Sequence, residues 1–337
     1  MFQIPSKRLM LLATILTFTL SPLIAQAADH TLRLSTLFRS GSDGAQAAEE
    51  FSKEVNARSD GRVEITVFPG SQLGDWVEVH SLMMQGAIDI GLQPLSTNFD
   101  TRLAIAWFPY LATTYTKAQE VFSSDGFVYK IVDDMITPQG LRLLGAYSAG
   151  MGGAGFTKNV PEPNKIQVDR GLRVRVWPGG TTHRTLMSEL GYGVATLPYA
   201  ELYTGMQTGV VDGQVGVTAE MTLDSFKDIT HTWVQYNDHV EMSWFVINSE
   251  SLSSLSEEDQ KIVIDVAQEI SHRRFDEVRD ADNRALEVME EAGINVVRFD
   301  DATLEKFADF TRKEVWPKIA GELDKDIMQQ LYKAVDL

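Results

Sequence analysis

The sequence predicts an α/β protein of two similar lobes. Three observations lead there. Strand-like and helix-like segments alternate along much of the chain, which implies mostly parallel sheets covered by helices. One strand–helix–strand block is echoed further along the chain. The stretch Ser256–Ala292 contains neither glycine nor proline, and at 1.5 Å per residue it makes a helix of about 55 Å, longer than one lobe.

The elements follow in order. Leu32, Leu34 and Thr36 alternate with Arg33 and Ser35, a strand pattern. Ala45, Ala48, Phe51 and Val55 recur at helical spacing, Gly61 breaks the run, and Arg62–Phe68 alternates again. A helix over Asp75–Gln85 and a strand over Ile88–Leu92 complete the first block. The second block gives strands at Leu172–Val176, Val194–Leu197 and Val210–Val215, and helices at Thr182–Leu190 and Ala200–Thr208. The echo lies in the joints: Phe68-Pro69, a helix and Gly86-Ala87-Ile88-Asp89 match Leu197-Pro198, a helix and Gly209-Val210-Val211-Asp212. Proline stops the strand because it cannot donate to a ladder, and glycine takes the left-handed turn that ends a helix. Ser256 with Asp259 forms a capping box, with Ile262, Val263, Val266, Ile270, Val278, Ala281, Ala285 and Met289 as the apolar stripe behind it. A last helix runs over Asp301–Val315, ahead of Pro317.

Composition narrows the function. The 337 residues carry 30 Lys plus Arg against 47 Asp plus Glu, a net charge of −17, with 44% hydrophobic residues and no cysteine. Nucleic acid and anionic membrane surfaces are poor partners for such a chain, because both need cationic groups. Disulfides, thiolate nucleophiles and cysteine metal sites are excluded. At the start, Lys7 and Arg8 precede an apolar run of about 16 residues, Leu9–Ile24, and then Ala25-Gln26-Ala27. That is an export signal cleaved after Ala27, and it is too short to span a bilayer, which takes about 20 residues. An exported, cysteine-free chain fits a bacterial periplasm.

Motifs of catalysis fail on context. Gly150-x-Gly152-x-x-Gly155 matches a dinucleotide fingerprint, but Thr157–Pro163 follows it and cannot open the helix that would hold a pyrophosphate. A flexible crossing between lobes is the better reading of this run. Ser148 lacks the helix of a nucleophile elbow. His30, His80, His183, His231, His239 and His272 show no i, i+4 pair and read as scattered surface residues. The carboxylates single out no catalytic pair. Trp177, Trp244, Tyr199, Phe38 and Trp107 lie near loops or strand ends and suit the apolar wall of a small-ligand cleft.

One stretch is distinctive. Gly171-Leu172-Arg173-Val174-Arg175-Val176-Trp177-Pro178, then Leu190-Gly191, then Leu197-Pro198-Tyr199-Ala200-Glu201-Leu202-Tyr203-Thr204-Gly205-Met206-Gln207-Thr208-Gly209-Val210-Val211-Asp212-Gly213-Gln214, resembles the solute-binding proteins of tripartite ATP-independent periplasmic (TRAP) transporters, the DctP-like family. Phe68–Gly74, Gly86–Asp89 and Leu255–Lys261 add to the likeness, which covers nearly the whole chain beyond residue 27. The resemblance implies a periplasmic-binding-protein-like fold: two α/β lobes with mixed sheets, and a long helix spanning both. It implies capture of a small organic anion, carboxylate or sulfonate, by lobe closure, and delivery to integral-membrane TRAP permease subunits. It makes Arg175 the anchor, since a guanidinium offers a planar donor fork to a carboxylate. Tyr199 falls where the family places an aromatic over the ligand.

Two departures from the family stand out. Gly216 occupies the place of a ligand-contacting asparagine, and Ala154 that of a second arginine. The ligand-binding set is therefore Arg175, Tyr199, Trp177, Gln93, Arg39, Gln214, Trp244 and Gly216. Arg39 and Gln93 enter because they follow strands whose C-terminal ends open onto α/β clefts. The expected organisation is a signal peptide over 1–27, lobe I over 28–150 plus 242–275, and lobe II over 151–241 plus 276–330. Hinges fall near Ala149–Gly155 and Glu241–Trp244. The chain is read as a monomer with no metal, no cofactor and no catalysis. The alternatives are a ligand-sensing subunit for a membrane receptor and a secreted two-lobe hydrolase using Glu201, Asp212 or Glu220.

Overall fold

The computed structural model describes residues 1–2 and 28–337. From residue 3 to residue 27 the expected export signal lies outside the described residues. Among the described residues ten strands build one mixed sheet system. They are β1 (His30–Thr36), β2 (Val63–Phe68), β3 (Ile90–Gln93), β4 (Leu141–Phe156), β5 (Arg173–Val176), β6 (Gly193–Thr196), β7 (Gly213–Thr218), β8 (Thr232–Val234), β9 (Val240–Asn248) and β10 (Asn295–Val297). The helices are α1 (Asp43–Arg58), α2 (Trp76–Met84), α3 (Tyr115–Phe122), α4 (Phe127–Ile136), α5 (Thr181–Glu189), α6 (Tyr199–Gln207), α7 (Ala219–Phe226), α8 (Ser249–Ser253), α9 (Glu257–Glu291), α10 (Asp301–Phe310), α11 (Trp316–Ile319) and α12 (Lys325–Ala334).

The strand order β2-β1-β3-β9-β4-β7-β5-β6 has the same pattern from either edge. Each outer trio is parallel, with its first strand in the middle. The echoed joints sit at matching places: Gly86 and Gly209 both take positive φ, +68° and +75°, just after α2 and α6. Between the trios run β9 and β4, antiparallel to each other and to the trio each adjoins. The expectation of mostly parallel sheets therefore fails at the centre, where two long strands replace the βαβ connection.

β4 is the member common to both halves. Its residues 141–151 pair with β9, and its residues 152–156 pair with β7 and, in part, β8. All but Arg142 of its sixteen residues are buried. Buried on both faces, it shows no polar–apolar alternation. Its glycines make room for neighbours: a Cβ on Gly145 would lie 2.3 Å from the Ser271 hydroxyl, on Gly150 2.1 Å from an Asp282 carboxylate oxygen, and on Gly152 2.1 Å from the His239 ring. The glycine-rich run is thus a packed strand instead of a loose crossing.

α9 has the extent the sequence predicted. Ser256 caps it, its hydroxyl accepting from the Asp259 amide at 3.1 Å. Asp259 in turn receives Arg62 at 2.7 Å. Over 35 residues the helix packs on α1, α3, α7, β4 and β10, so it touches both trios' surroundings. Asp301–Val315 is helical as expected, but its last turn widens to π geometry at Thr311–Val315. Among the described residues no helix is long and apolar enough to cross a membrane.

Candidate functional site

Arg175 sits at the C-terminal end of β5, a strand flanked on both sides by parallel neighbours, where α/β clefts open. Only 2% of it is exposed. Its Nε donates to the Leu197 carbonyl at 2.9 Å, and its guanidinium lies 5.9 Å from the centre of the Tyr199 ring. Pro198 and the start of α6 hold both partners in place. No carboxylate comes within 4.0 Å of this guanidinium among the described residues. Burial without such a partner pushes its pKa down to about 10, although Tyr199, Asp75 and Glu241 lean the other way.

Around Arg175 the chain leaves a small, partly open cavity of about 30 Å³. Its walls come from both halves of the sheet: Trp76, Pro94 and Trp107 from one side, Trp177, Tyr199 and Gly216 from the other, with Glu241 between. Three tryptophans run in sequence, Trp76 to Trp107 at 6.1 Å and Trp107 to Trp177 at 5.4 Å. Trp177 is clasped by glycines. A Cβ on Gly216 would lie 2.3 Å from its ring and one on Gly180 2.8 Å, and Gly216 takes φ +82°, which strains any other residue. The Trp177 ring therefore occupies the space that a side chain at 216 would use. Ala154 is fully buried between β7 and β8 and brings no charge.

Glu241, the second residue of β9, carries the other charge in the wall. Its Oε2 accepts from Trp107 Nε1 at 3.1 Å and from His239 Nε2 at 3.0 Å. Behind His239 stand Asp238, 3.2 Å away, and His183, 3.1 Å from Asp238. Burial opposes a charge on His239, but Asp238 and Glu241 push its pKa up to about 10. Burial would also raise the Asp238 carboxyl, yet the His239 charge and both histidine hydrogen bonds hold it well below the carboxylate range. Burial lowers the pKa of His183. His183, Asp238 and His239 have ligand atoms within 4.8 Å of one another, the one set of metal-ligand spacing among the described residues. Each of the three already engages another in a hydrogen bond, which makes the set a charge network, although Asp238 Oδ1 is left without a partner. His80, His183 and His239 are at most 1% exposed, which corrects the expectation of surface histidines.

The expected site residues divide. Arg175, Tyr199, Trp177 and Gly216 line the cavity. Gln93 stands one layer back and donates to the Trp76 carbonyl at 3.0 Å. Gln214 is buried beside Thr222, its Oε1 without a partner. Trp244 packs 6.1 Å from Tyr129 in the core, away from the cavity. Arg39 is exposed and donates to the Asp224 carbonyl at 2.8 Å, at the rim of an outer groove that shares Leu37 and Tyr199 with the cavity. Of the acids considered for catalysis, Asp212 braces β5 through the Arg173 amide, Glu220 is tied to Arg274 and Asp43, and Glu201 is exposed on α6. None faces another across the cavity. Glu241, Trp76 and Trp107 complete the wall. They come from separate segments, and no local pattern marks them as neighbours.

Comparison with known proteins agrees with this architecture. The family model "Bacterial extracellular solute-binding protein, family 7" (DctP) matches residues 35–322. A solute-binding protein of Roseobacter denitrificans is 27% identical over 246 residues, 72% of this chain and 74% of that one. The sialic acid-binding periplasmic protein SiaP of Vibrio cholerae is 26% identical over 325 residues, 94% and 96% of the two chains. A TRAP periplasmic solute-binding protein from Desulfovibrio salexigens, solved with bound orotic acid, superposes with a TM-score of 0.79 at 22% identity, covering 90% of this chain and 96% of its own.

Proposed function

The chain belongs to family 7 of the bacterial extracellular solute-binding proteins, the DctP-like receptors of TRAP transporters, and from that premise we propose that it takes up one small organic acid in the cavity at Arg175 and hands it to a membrane permease. The family is one of substrate receptors, and the reading here is affinity without turnover. It acts outside the cytoplasm, in the periplasm on our reading, after loss of residues 1–27. We read the protein as two lobes, 28–150 plus 242–275 and 151–241 plus 276–330, that close over the solute.

One observation carries the reading. Arg175 is a buried cation at a cavity wall with no carboxylate paired to it. An uncompensated buried charge is unfavourable unless something supplies its partner, and an anionic solute does so. The fork geometry favours a carboxylate or sulfonate edge. The aromatic walls supply apolar cover and limit the size of the solute.

Closure has a route in the structure. Loops of one half already touch the other: Thr97 donates to the Gly179 carbonyl at 3.0 Å, and the Asp43 amide donates to Glu220 at 3.1 Å. Opening would part these bonds and flex β4 and β9 near residues 149–155 and 241–244. The deciding experiment is a thermal-shift screen of carboxylates and sulfonates on the mature protein, followed by calorimetry. A solute bound only by the native state raises the melting temperature. Absence of any organic acid whose binding depends on Arg175 would defeat the reading.

A further inference from the structure

The cavity wall carries two opposite charges that do not satisfy each other. Arg175 and Glu241 both line it, yet they form no ion pair within 4.0 Å among the described residues. Each is held from behind. Arg175 is fixed by the Leu197 carbonyl through Nε, which leaves its two terminal nitrogens without hydrogen bonds among the described residues. Glu241 is fixed through Oε2 by Trp107 and His239, and its Oε1 makes none. A built-in pair would have collapsed onto itself. This one is propped apart across aromatic rings.

We propose that the solute is a small zwitterion, its anionic head on Arg175 and its positively charged nitrogen on Glu241, faced by the rings of Trp76, Trp107 and Trp177. This deepens the reading of the same cavity as an organic-acid site and rests on it.

The charge balance supports the choice. Arg175 brings a guanidinium and Glu241 a carboxylate to one cavity, and the two are not paired with each other. A simple anion would answer Arg175 and leave the free edge of Glu241 facing it. Buried charge without compensation is strongly disfavoured. A zwitterion answers both groups. The walls fit the same chemistry, since indole faces attract a desolvated cation, tryptophan best of the aromatics. Behind the acid at 241, His239 holds its Oε2 and is itself held by Asp238. That arrangement leaves one carboxylate edge available to a guest.

Matched probes test this. Taurine, β-alanine and glycine betaine are compared by calorimetry with isethionate, 3-hydroxypropionate and 3,3-dimethylbutyrate, which keep the shape and the acid but lose the positive nitrogen. A hydrogen bond to a charged group implies a preference on the order of tenfold to a hundredfold for the zwitterion of at least one pair. Glu241→Gln is expected to erase that preference, bringing each zwitterion down to the affinity of its anionic match in the same variant. If this variant fails to fold, the comparison on the unaltered protein decides alone. Anions that bind as tightly as their zwitterionic matches, or a zwitterion set that does not bind at all, overturn the proposal. Arg175-dependent binding of the anions in that case leaves the organic-acid reading standing. Binding of both sets that is indifferent to Arg175→Met defeats that reading as well.

Discussion

Replacing Arg175 by methionine should move stability and affinity in opposite directions. Methionine keeps much of the side chain's length and apolar bulk while deleting the charge. In the unliganded protein the guanidinium is held at a pKa of about 10 against an ordinary 12.5. Each pKa unit is about 1.4 kcal/mol, so the buried cation disfavours the folded state by about 3 kcal/mol. The sign is fixed by the direction: a lowered cation pKa costs stability at every pH below about 10, including neutral pH. Against this stand the lost hydrogen bond to Leu197 and the ring contact with Tyr199, together about 1–2 kcal/mol. The net expectation is a ligand-free protein more stable by about 1 kcal/mol, a rise of roughly 1–2 °C in melting temperature for a chain of this length. Removing one partner of a buried ion pair costs about 3–5 kcal/mol, so affinity for the acid should fall by roughly a hundredfold or more. Scanning calorimetry without ligand and titration calorimetry with it read the two effects. A variant that melts lower than the parent when empty would refute the argument that this charge lacks a partner. Unchanged affinity would refute its role as anchor.

Four further outcomes follow from the same geometry. Gly216→Ala places a Cβ 2.3 Å from the Trp177 ring at φ +82°, and should lower stability by about 1–3 kcal/mol in urea titrations and shift tryptophan emission. Burial pushes the Glu220 carboxyl up to about 7 despite Arg274; its charge therefore opposes folding at pH 8, and the penalty fades as pH falls from about 7 toward 4.5. Glu220→Gln should flatten that part of the stability–pH profile by roughly 1–3 kcal/mol, and an unchanged profile would count against it. Ligand should reduce the radius of gyration in small-angle scattering as the lobes close, and equal radii would argue against hinge motion. Mass spectrometry of exported protein should find the chain starting at Ala28, and retention of residues 1–27 would reject the cleavage site.

Much of the fold was legible because local rules governed it. The outer trios could be placed from alternation and from the paired glycines at 86 and 209, and α9 from its unbroken run and Ser256 cap. The second block's last strand was placed at Val210–Val215, whereas β7 spans Gly213–Thr218. Val211 is apolar because it packs beneath α6 with Leu202, Met206 and Phe226, and Asp212 turns the chain toward β5. β9 and the second half of β4 were missed for the reason that makes them central: a strand buried on both faces has no period-two signature. In the site, Arg175 was readable from its motif. Trp107 was readable as an aromatic of a cleft wall, whereas Glu241 was noticed only as a hinge and Trp76 only as part of a helix, and both tryptophans stand more than 130 residues before Glu241. Their meeting depends on β9 returning between the trios, a long-range event with no short pattern. The histidines were misplaced because spacing tests for a helical metal pair, while His183 on α5 and His239 just before β9 meet through Asp238.

The shared strand also limits how a receptor of this kind diversifies. Because β4 gives its first eleven residues to one half and its last five to the other, no cut point separates two independently folding units. Chimeras that exchange halves between relatives would have to graft through the middle of a ladder whose glycines are fitted to Ser271, Asp282 and His239. New specificities are reached more readily one side chain at a time, at the few cavity positions such as Trp177 and Gly216 that trade volume with each other, while the strand beneath them stays fixed.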